Sequence, residues 1–384
     1  SWLIDFDFEY AKTHFNLTSS VWARPSKSHL SFLLKEVYSA SNDRIKLKTN
    51  AARVEMKKYT WENVAKQNIR FVKSLTLESK CKESRIGWIS TFNSRCGIAA
   101  YSKHLLEYIS DFKIILTPND EESLNNENLK VKRCWDIGDS ELSNFDELYR
   151  IVVNQRLTTI VLQFNYGFYN YEALKVLINN LINKKIKIII MIHSTKDPID
   201  FPEKKLQNLV DIFIKCNRIL VHTPDDLNQL RKLGLIENTA LFPHGILDFH
   251  NNSTTYINSF SNESLFKNKL DQNKKNITTY GYCLPNKGFF ELINAVSILK
   301  ERGFIVDLKL FCAFHSSIVS KEYHLELLDL IDKLSISDQI ILDTSFYTDQ
   351  ETLLKLSQSD LIVYPYQNSN ESSSASVRHG IASG

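Results

Sequence analysis

From residue 85 onward, short and almost wholly apolar runs alternate along the chain with stretches of helical spacing. The run at 186–195, IKIIIMIHST, shows no alternation of apolar and polar residues, so both faces of a strand there would be buried. The stretch at 97–110 repeats apolar residues every three or four positions, as one face of a helix does. Doubly buried strands separated by helices predict an α/β fold with parallel sheets that helices cover on both sides.

Two groups of these units lie on either side of a polar stretch at 249–276, which is rich in Asn and Ser. The first group has predicted strands at 85–91, 158–165, 186–195 and 218–223, a strand that runs into a loop at 238–246, and predicted helices at 97–110, 171–185, 203–216 and 224–234. The second has predicted strands at 277–282, 306–314, 339–345 and 360–366, and predicted helices at 287–303, 320–336 and 349–359. We therefore expect two doubly wound domains, 85–248 and 277–384, joined by a linker, with the second sheet incomplete.

The composition excludes several classes of protein. Apolar residues make up 43% and charged residues 24%, which is typical of globular domains, and the net charge of +3 argues against a strong nucleic-acid binder. No run of about 18 apolar residues is present, so no segment is predicted to span a membrane. The six cysteines form no CxxC pair, which favours reduced thiols in a cytoplasm over disulfides or a zinc site.

The leading segment, 1–80, does not match the start of a doubly wound domain. It contains two long amphipathic stretches, at 26–40 and 43–75, whose basic residues we interpret as solvated helix surface. Asp5 and Asp7 invite a metal site, but they lie far in sequence from the other candidate ligands. We therefore expect them to be structural.

Ligands of open α/β sheets bind beyond the carboxyl ends of the strands, so candidate residues are sought there. In the first domain, Gly97 begins a helix, where free N–H groups favour an anion or a sugar hydroxyl. His193 ends a strand predicted to be central, where a functional and a structural role are both open. His222 is interpreted as a local contact, and His244 as a structural or hinge residue beside the linker.

In the second domain, Lys287 and Gly288 lie at a strand-to-helix turn, where an ammonium beside free helix N–H groups suits a diphosphate. A solvated Lys beside a capping Gly is the alternative. Glu371 follows a strand and precedes SSSAS, a turn of small residues that lets backbone N–H groups approach a ligand. Arg378 lies in the first turn of the next helix and can reach a phosphate bidentately. No full GxxxxGK[ST] loop is present, which disfavours a P-loop kinase.

Six segments together resemble the retaining glycosyltransferases of family 4, which have the GT-B architecture of two Rossmann-like domains facing a cleft. They are GIAAYSKHLLE, IHST, ILVHTPDDLNQLRKLG, FPHGI, GYCLPNKGFFELINAV and DLIVYPYQNSNESSSASVRHGIASG. The resemblance covers residues 85–384. It implies an acceptor domain at 85–248 and a donor-nucleotide domain at 277–384.

The resemblance also implies roles for individual residues. Gly97 corresponds to the acceptor-side glycine loop, His193 to the histidine near the transferred sugar, and Lys287 to the lysine on the donor diphosphate. Glu371 corresponds to the first Glu of the family's Glu–seven-residues–Glu motif, which holds the hydroxyls of the donor sugar. Ser373 and Ser374 lie where backbone N–H groups meet sugar and phosphate.

Two positions depart from the family pattern. The second Glu of the motif, which normally contacts the ribose, is His379 here. The Arg that usually precedes the Lys is absent from GYCLP, and Arg378 is the candidate to supply its charge. Both departures concern the identity of the nucleotide more than sugar transfer.

The resemblance implies transfer of a hexose, with mannose from GDP-mannose as the best guess, to a glycan or lipid-linked acceptor in the synthesis of O-antigen or another surface polysaccharide. No metal or other cofactor is expected, because Lys287, Arg378 and helix N–H groups can stabilise the leaving diphosphate. A cytoplasmic enzyme is expected, with peripheral contact with the inner membrane face as a further expectation. A non-catalytic GT-B binding module, or an epimerase or phosphorylase of the same fold, stays open as an alternative.

The leading segment resembles the closing tail of such an enzyme, notably in SSVWARPSKSHLSFLLKEVY and RVEMKKYTWENVAKQNIRFVKSL. We therefore expect 1–80 to belong to a preceding module of the same polypeptide. It should then attach loosely, or dock on the second domain.

Overall fold

The computed structural model describes residues 3–11, 20–56, 84–119, 130–138, 145–199, 201–247, 275–315, 317–367 and 374–384. The chain divides into two compact units. Of the described residues, the first unit takes those up to Ser90 and those between Glu107 and Pro243. The second unit takes those between Thr91 and Leu106 and those from His244 onward.

The strands of the first unit, among its described residues, are β1 (Phe6–Tyr10), β2 (Val21–Pro25), β3 (Arg85–Ile89), β4 (Phe112–Pro118), β5 (Val131–Trp135), β6 (Thr159–Phe164), β7 (Lys187–Ile192), β8 (Arg218–Val221) and β9 (Thr239–Leu241). β1 and β2 form an antiparallel hairpin. The others form a parallel sheet in the order β5-β4-β3-β6-β7-β8-β9.

The described strands of the second unit are β10 (Lys275–Tyr282), β11 (Val306–Ala313), β12 (Ile340–Asp343) and β13 (Leu361–Ile362). They form a parallel sheet in the order β12-β11-β10-β13. In both sheets the first strand of the doubly wound unit lies inside the sheet, between its second and fourth strands. That is the switch point at which open α/β sheets bind ligands.

The described helices are α1 (Lys27–Ser39), α2 (Asn42–Met56), α3 (Gly97–Glu107), α4 (Asp146–Asn154), α5 (Tyr171–Asn183), α6 (Val210–Phe213), α7 (Pro224–Lys232), α8 (Phe289–Glu301), α9 (Ile318–Lys333), α10 (Asp349–Ser357) and α11 (Ala375–Ala382). Short 3₁₀ turns occupy Leu206–Leu209 and Pro285–Lys287. α3, apart from its last residue, and α8 to α11 lie in the second unit.

Local sequence explains where several helices begin. Thr223 caps α7 by accepting from the N–H of Asp226, whose carboxylate accepts from the N–H of Thr223, and Pro224 occupies the first turn. Thr348 and Glu351 form the same reciprocal cap on α10. These caps fix the starts of α7 and α10 in the segments that follow β8 and β12, at the carboxyl ends of the two sheets.

The predicted α/β fold with two doubly wound parallel sheets is confirmed. The sequence prediction missed β4, β5 and α4, and it overestimated the helix at 203–216, of which only the 3₁₀ turn and α6 form. The segment 238–246, predicted as a strand that runs into a loop, forms β9 followed by a loop. Residues 91–106 lie in the second unit, whereas the sequence pattern places them in the domain 85–248. Most of the predicted linker, 249–274, lies outside the described residues.

The described part of the leading segment belongs to the first unit and contacts α7 there, so docking on the second domain, one of the two outcomes that we expected, does not occur among the described residues. The side chain of Asn228 on α7 pairs with the backbone of Phe8, accepting from its N–H at 2.6 Å and donating to its carbonyl at 3.0 Å. Arg231 reaches Asp5 at 2.8 Å and Asp7 at 3.4 Å. The two aspartates therefore form ion pairs with an arginine, in agreement with a structural role.

Within the described ranges, every helix is too short or too polar to cross a bilayer.

Candidate functional site

A cavity of about 200 Å³ opens in the second unit at the carboxyl end of β10. It lies at the switch point of the sheet, where parallel α/β sheets bind ligands. Its lining combines small, aromatic and polar residues: Asn93, Ser94, Cys96, Gly97, Ala99, Ala100, Lys103, Tyr280, Gly281, Tyr282, Ala313, Phe346, Tyr347, Thr348, Asp349, Ala375, Ser376 and His379.

Three helices begin at the wall of this cavity. Gly97, Asp349 and Ala375 are the first residues of α3, α10 and α11, and all three line it. Free N–H groups and the helix dipole favour negative charge at such ends. The start of α10 already carries its own capping carboxylates, so the starts of α3 and α11 are the ends available to an anion.

The carboxylate of Asp349 lies between two imidazoles. Its Oδ2 is 2.8 Å from Nε2 of His104, and its Oδ1 is 2.9 Å from Nε2 of His379. Burial acts to raise the pKa of Asp349, but the hydrogen bonds from the two rings outweigh it and hold the pKa well below its usual range. An ionised Asp349 thus connects α3, α10 and α11.

His379 is buried, and both of its ring nitrogens face oxygen atoms. Nδ1 is 2.9 Å from the carbonyl of Ala375, one turn earlier, and Nε2 faces Asp349. With Asp349 ionised, both oxygens are hydrogen-bond acceptors. His379 therefore lines the cavity while both of its ring nitrogens contact oxygen atoms of the protein.

Aromatic side chains form another part of the cavity wall. Tyr282, Phe346 and Tyr347 line it, and the guanidinium of Arg95 lies 5.4 Å from the ring centroid of Phe346. The exposed fraction of Phe346 is 46%, which leaves a ring face accessible. Such surfaces suit a nucleobase or a sugar ring.

The predicted Lys287–Gly288 turn packs against the loop that follows β13. Gly288 has φ +72°, and a Cβ there would lie 1.9 Å from the carbonyl oxygen of Pro365, so only Gly allows this approach. Lys287 is buried, with Nζ 4.2 Å from the ring centroid of Tyr366. The hydroxyl of Tyr366 is 3.1 Å from Oγ of Ser374, at the start of α11.

His193 and His222 follow β7 and β8 in the first unit and contact each other. Nδ1 of His193 is 3.3 Å from Nε2 of His222, and Nε2 of His193 is 2.8 Å from Oε1 of Gln163. Nδ1 of His222 is 2.9 Å from the carbonyl oxygen of Phe242. The interpretation of His222 as a local contact was therefore wrong, because it is a direct partner of His193.

The structure brings together some of the residues that the sequence singled out. Gly97 and His379 line the cavity, and Lys287 and Ser374 contact Tyr366. Gly288 packs against Pro365, Arg378 lies half-buried in α11, and His193 lies in the first unit. Glu371 and Ser373 lie outside the described residues, so their predicted roles stay predictions.

Sequence reasoning missed His104, Asp349 and Phe346. Asp349 follows Thr348 in a capping sequence, which offers a complete local explanation for an aspartate. Its contact with His104 joins residues 245 positions apart, and nothing in the spacing indicates it.

Among the described residues, no three His, Cys, Asp or Glu side chains are grouped so that they could hold a metal ion.

Comparisons with known proteins agree on the fold. No family model matches the sequence, and no curated protein matches it. The structure of a glycosyltransferase from Rickettsia africae aligns over 79% of this chain and 78% of its own, with 12% identity and a TM-score of 0.59. Sucrose-phosphate synthase from Thermosynechococcus elongatus aligns over 78% and 79%, with 12% identity and a TM-score of 0.56.

Anabaena HepE in complex with UDP and glucose aligns over 73% of this chain and 74% of its own, with 14% identity and a TM-score of 0.54. These identities are low, so the likeness shows the fold and not the activity. The chain has the GT-B fold, with two Rossmann-like parallel-sheet domains.

Proposed function

We propose that this chain is a retaining glycosyltransferase that moves a hexose from a nucleotide diphosphate sugar to a glycan or lipid-linked acceptor in surface polysaccharide synthesis. The observation that carries the proposal is the cavity at the switch point of the second sheet, where α3 and α11 begin. The cavity combines helix N-termini that can bind an anion, aromatic ring faces, and small residues that let a ligand approach the backbone. A nucleotide sugar requires all three.

In this proposal the diphosphate binds at the starts of α3 and α11, where backbone N–H groups stabilise the charge that develops on the leaving group. Lys287 and Arg378 add positive charge. The nucleobase packs against Phe346 and Tyr347, whose rings line the same cavity as Gly97. No metal is needed for this charge balance.

The sugar chemistry rests on residues carried over from the family resemblance. Glu371, with the backbone at Ser373, holds the hydroxyls of the donor sugar, and His193 orients a hydroxyl near the reacting carbon. Retention is supported by the structural likeness to trehalose-6-phosphate synthase, a protein described as transferring glycosyl groups with retention. The acceptor then attacks on the face from which the diphosphate leaves.

The identity of the donor is the least constrained part. The family resemblance favours GDP-mannose, while the similar Anabaena HepE binds UDP and glucose, and UDP-glucose in a second structure. His379 occupies the position of a family Glu and is held by Asp349 and Ala375, so the usual carboxylate for a ribose is absent at that position.

A donor panel tests the proposal. We expect one nucleotide sugar among GDP-mannose, UDP-glucose and related donors to be consumed with release of nucleoside diphosphate when a glycan acceptor is present. The same donor should slow alkylation of Cys96, which lines the cavity and is the only partly exposed cysteine among the described residues, as read by mass spectrometry of its peptide. Protection without turnover would favour the non-catalytic binding module. The absence of both protection and turnover would overturn the proposal.

Lys287 tests the placement of the diphosphate. We expect Lys287→Met to weaken nucleotide-sugar binding by roughly 1.5–3 kcal/mol, as measured by calorimetry, the range for a hydrogen bond to a charged group. Lys321→Met, at an exposed position of α9, is the matched control and should leave the dissociation constant unchanged. An unchanged affinity in a folded Lys287→Met protein would limit Lys287 to packing on Tyr366.

A further inference from the structure

We infer that His222 is a positioning residue that holds His193 in the tautomer with hydrogen on Nδ1 and a lone pair on Nε2. The proposal uses four groups of the first unit: Phe242, His222, His193 and Gln163. Its structural part stands by itself. Its consequence for turnover rests on the proposed function.

The carbonyl of Phe242 decides which atoms donate and which accept along this chain of hydrogen bonds. A carbonyl oxygen only accepts, so the His222 nitrogen 2.9 Å away, Nδ1, must carry the hydrogen. In a neutral ring the other nitrogen, Nε2, is then an acceptor. Nδ1 of His193, at 3.3 Å from it, donates to it, and this leaves the lone pair of His193 on Nε2.

The amide of Gln163 completes the argument. As assigned, its Oε1 faces Nε2 of His193 at 2.8 Å, and its Nε2 is buried without a hydrogen-bond partner among the described residues. The oxygen and nitrogen of an amide are assigned from the hydrogen-bond network, so exchanging them is allowed. After the exchange the amide N–H donates to the lone pair of His193, and every contact in the chain joins one donor to one acceptor.

One alternative is a doubly protonated His222, which would let His193 donate from Nε2 to the oxygen of Gln163. A doubly protonated His193 would do the same, and the nitrogen NMR below separates both from the neutral chain. His222 is 2% exposed, and placing a positive charge there is costly. The neutral chain avoids this cost. It makes His193 an acceptor at Nε2, suited to a ligand hydroxyl that displaces the amide of Gln163 and donates to the ring.

Nitrogen NMR of the intact chain, labelled with ¹⁵N at its histidines, tests the tautomer directly. The ten histidines are few enough to resolve, and loss of single signals in His193→Gln and His222→Gln assigns the pair. We expect neutral rings at pH 7.5, with hydrogen on Nδ1 of both His193 and His222. Hydrogen on Nε2 of His193, or on both nitrogens of His222, would overturn the inference.

A pair of variants tests the positioning role by activity. His222→Gln can still donate to the carbonyl of Phe242 and accept from Nδ1 of His193, whereas His222→Met can do neither. We expect the Met variant to lose about ten- to a hundredfold in kcat, the scale seen for ring partners of metal-bound histidines, with little change in donor KM, and the Gln variant to recover most of it. Equal kcat values for the two variants would show that the contact has no positioning role.

The two proposals fail separately. If the wild-type chain shows no transfer, the proposed function fails and the tautomer measurement alone decides the inference. If transfer is found with the wrong tautomer, only the inference fails.

Discussion

The chemistry of the cavity depends on single residues whose partners lie far away in the sequence. Asp349 is the clearest case, because one carboxylate accepts from His104 and from His379 at the same time. Asp349 lies in the first turn of α10, as a capping residue often does, but its carboxylate also joins α10 to α3 and α11. His379 on α11 meets a carboxylate that comes from a different helix.

Asp349→Asn tests this bridge through pH. The folded pKa of Asp349 is held below that of the unfolded chain, so its stabilisation is present above about pH 4 and is lost as the pH falls towards the folded pKa. We expect the variant to lose about 1–3 kcal/mol of unfolding free energy at pH 6 in urea titrations, and the loss to shrink below about pH 4. Asp338→Asn, which removes an exposed partner of Lys300, should show a small loss at both pH values.

Gly97 tests whether a ligand uses the cavity. A Cβ at Gly97 meets no atom within 4 Å, and Gly97 lines the cavity, so we expect a leucine there to occupy cavity space without disturbing the fold. We expect Gly97→Leu to keep or slightly raise the melting temperature, because Gly is a poor helix residue. Nucleotide-sugar affinity should fall by about tenfold or more, equivalent to about 1.4 kcal/mol.

Gly245→Leu is the matched control for Gly97→Leu. It also has open space around its Cβ, but it does not line the cavity, so its affinity should equal that of the wild type. Equal affinities for both leucine variants would place the donor elsewhere.

At the scale of elements, helix starts are placed by turns that only certain residues can form. α8 begins after a left-handed Gly288 that lets the chain pass directly beside the backbone of Pro365. This close approach joins the turn after β10 to the loop after β13, the two strand ends at the switch point. The element that carries Lys287 is therefore held by backbone contact rather than by its side chains alone.

Two glycines with positive φ allow the cost of a left-handed backbone to be measured separately from the cost of a steric overlap. Gly303 has φ +80° and open space around its Cβ, so Gly303→Ala should cost about 1–2 kcal/mol from the left-handed conformation. Gly288→Ala adds an overlap with Pro365, and we expect a further loss of about 1–3 kcal/mol from overpacking. Urea titration of both variants measures the difference, and equal losses would mean that the loop at Pro365 gives way without cost.

At the scale of the whole molecule, the leading hairpin contacts a helix more than 200 residues away in the sequence. The side-chain amide of Asn228 makes the two hydrogen bonds that a neighbouring strand would make, one with the N–H and one with the carbonyl of Phe8. Arg231 adds its ion pairs and lies 4.7 Å from the ring centroid of Phe6. Hydrogen bonding by Arg231 lowers the pKa of Asp5, but exposed pairs of this kind add little stability.

Hydrogen exchange tests how the leading segment is held. We expect Asn228→Ala to speed exchange at the amide of Phe8 and across β1, because the amide pair is lost. Gln229→Ala, at the exposed neighbouring position of α7, should leave β1 unchanged. In the wild type we expect α1 and α2 to exchange faster than β7, because we expect the leading segment to be loosely attached. Protection of these helices equal to that of β7 would contradict loose attachment.

The sequence by itself determined the class of fold and the position of most strands and helices. Apolar runs such as Lys187–Ile192 are buried on both faces wherever a covered parallel sheet forms, and the Thr223–Asp226 cap acts within a single turn. These signals are local, so they can be recognised without knowing what lies across the sheet. β4 carries the same local signal in FKIILTP, so the sequence is sufficient to predict this strand as well.

Only the tertiary structure decided which polar groups meet. His104 and Asp349, His193 and His222, and Asn228 and Phe8 each pair across long stretches of chain, and each residue alone has an adequate local explanation. Hydrogen bonds require atoms to be placed within a few tenths of an ångström and in a defined direction. That placement comes from the packing of whole helices against sheets, to which every part of a unit contributes, and so no short stretch of sequence contains it.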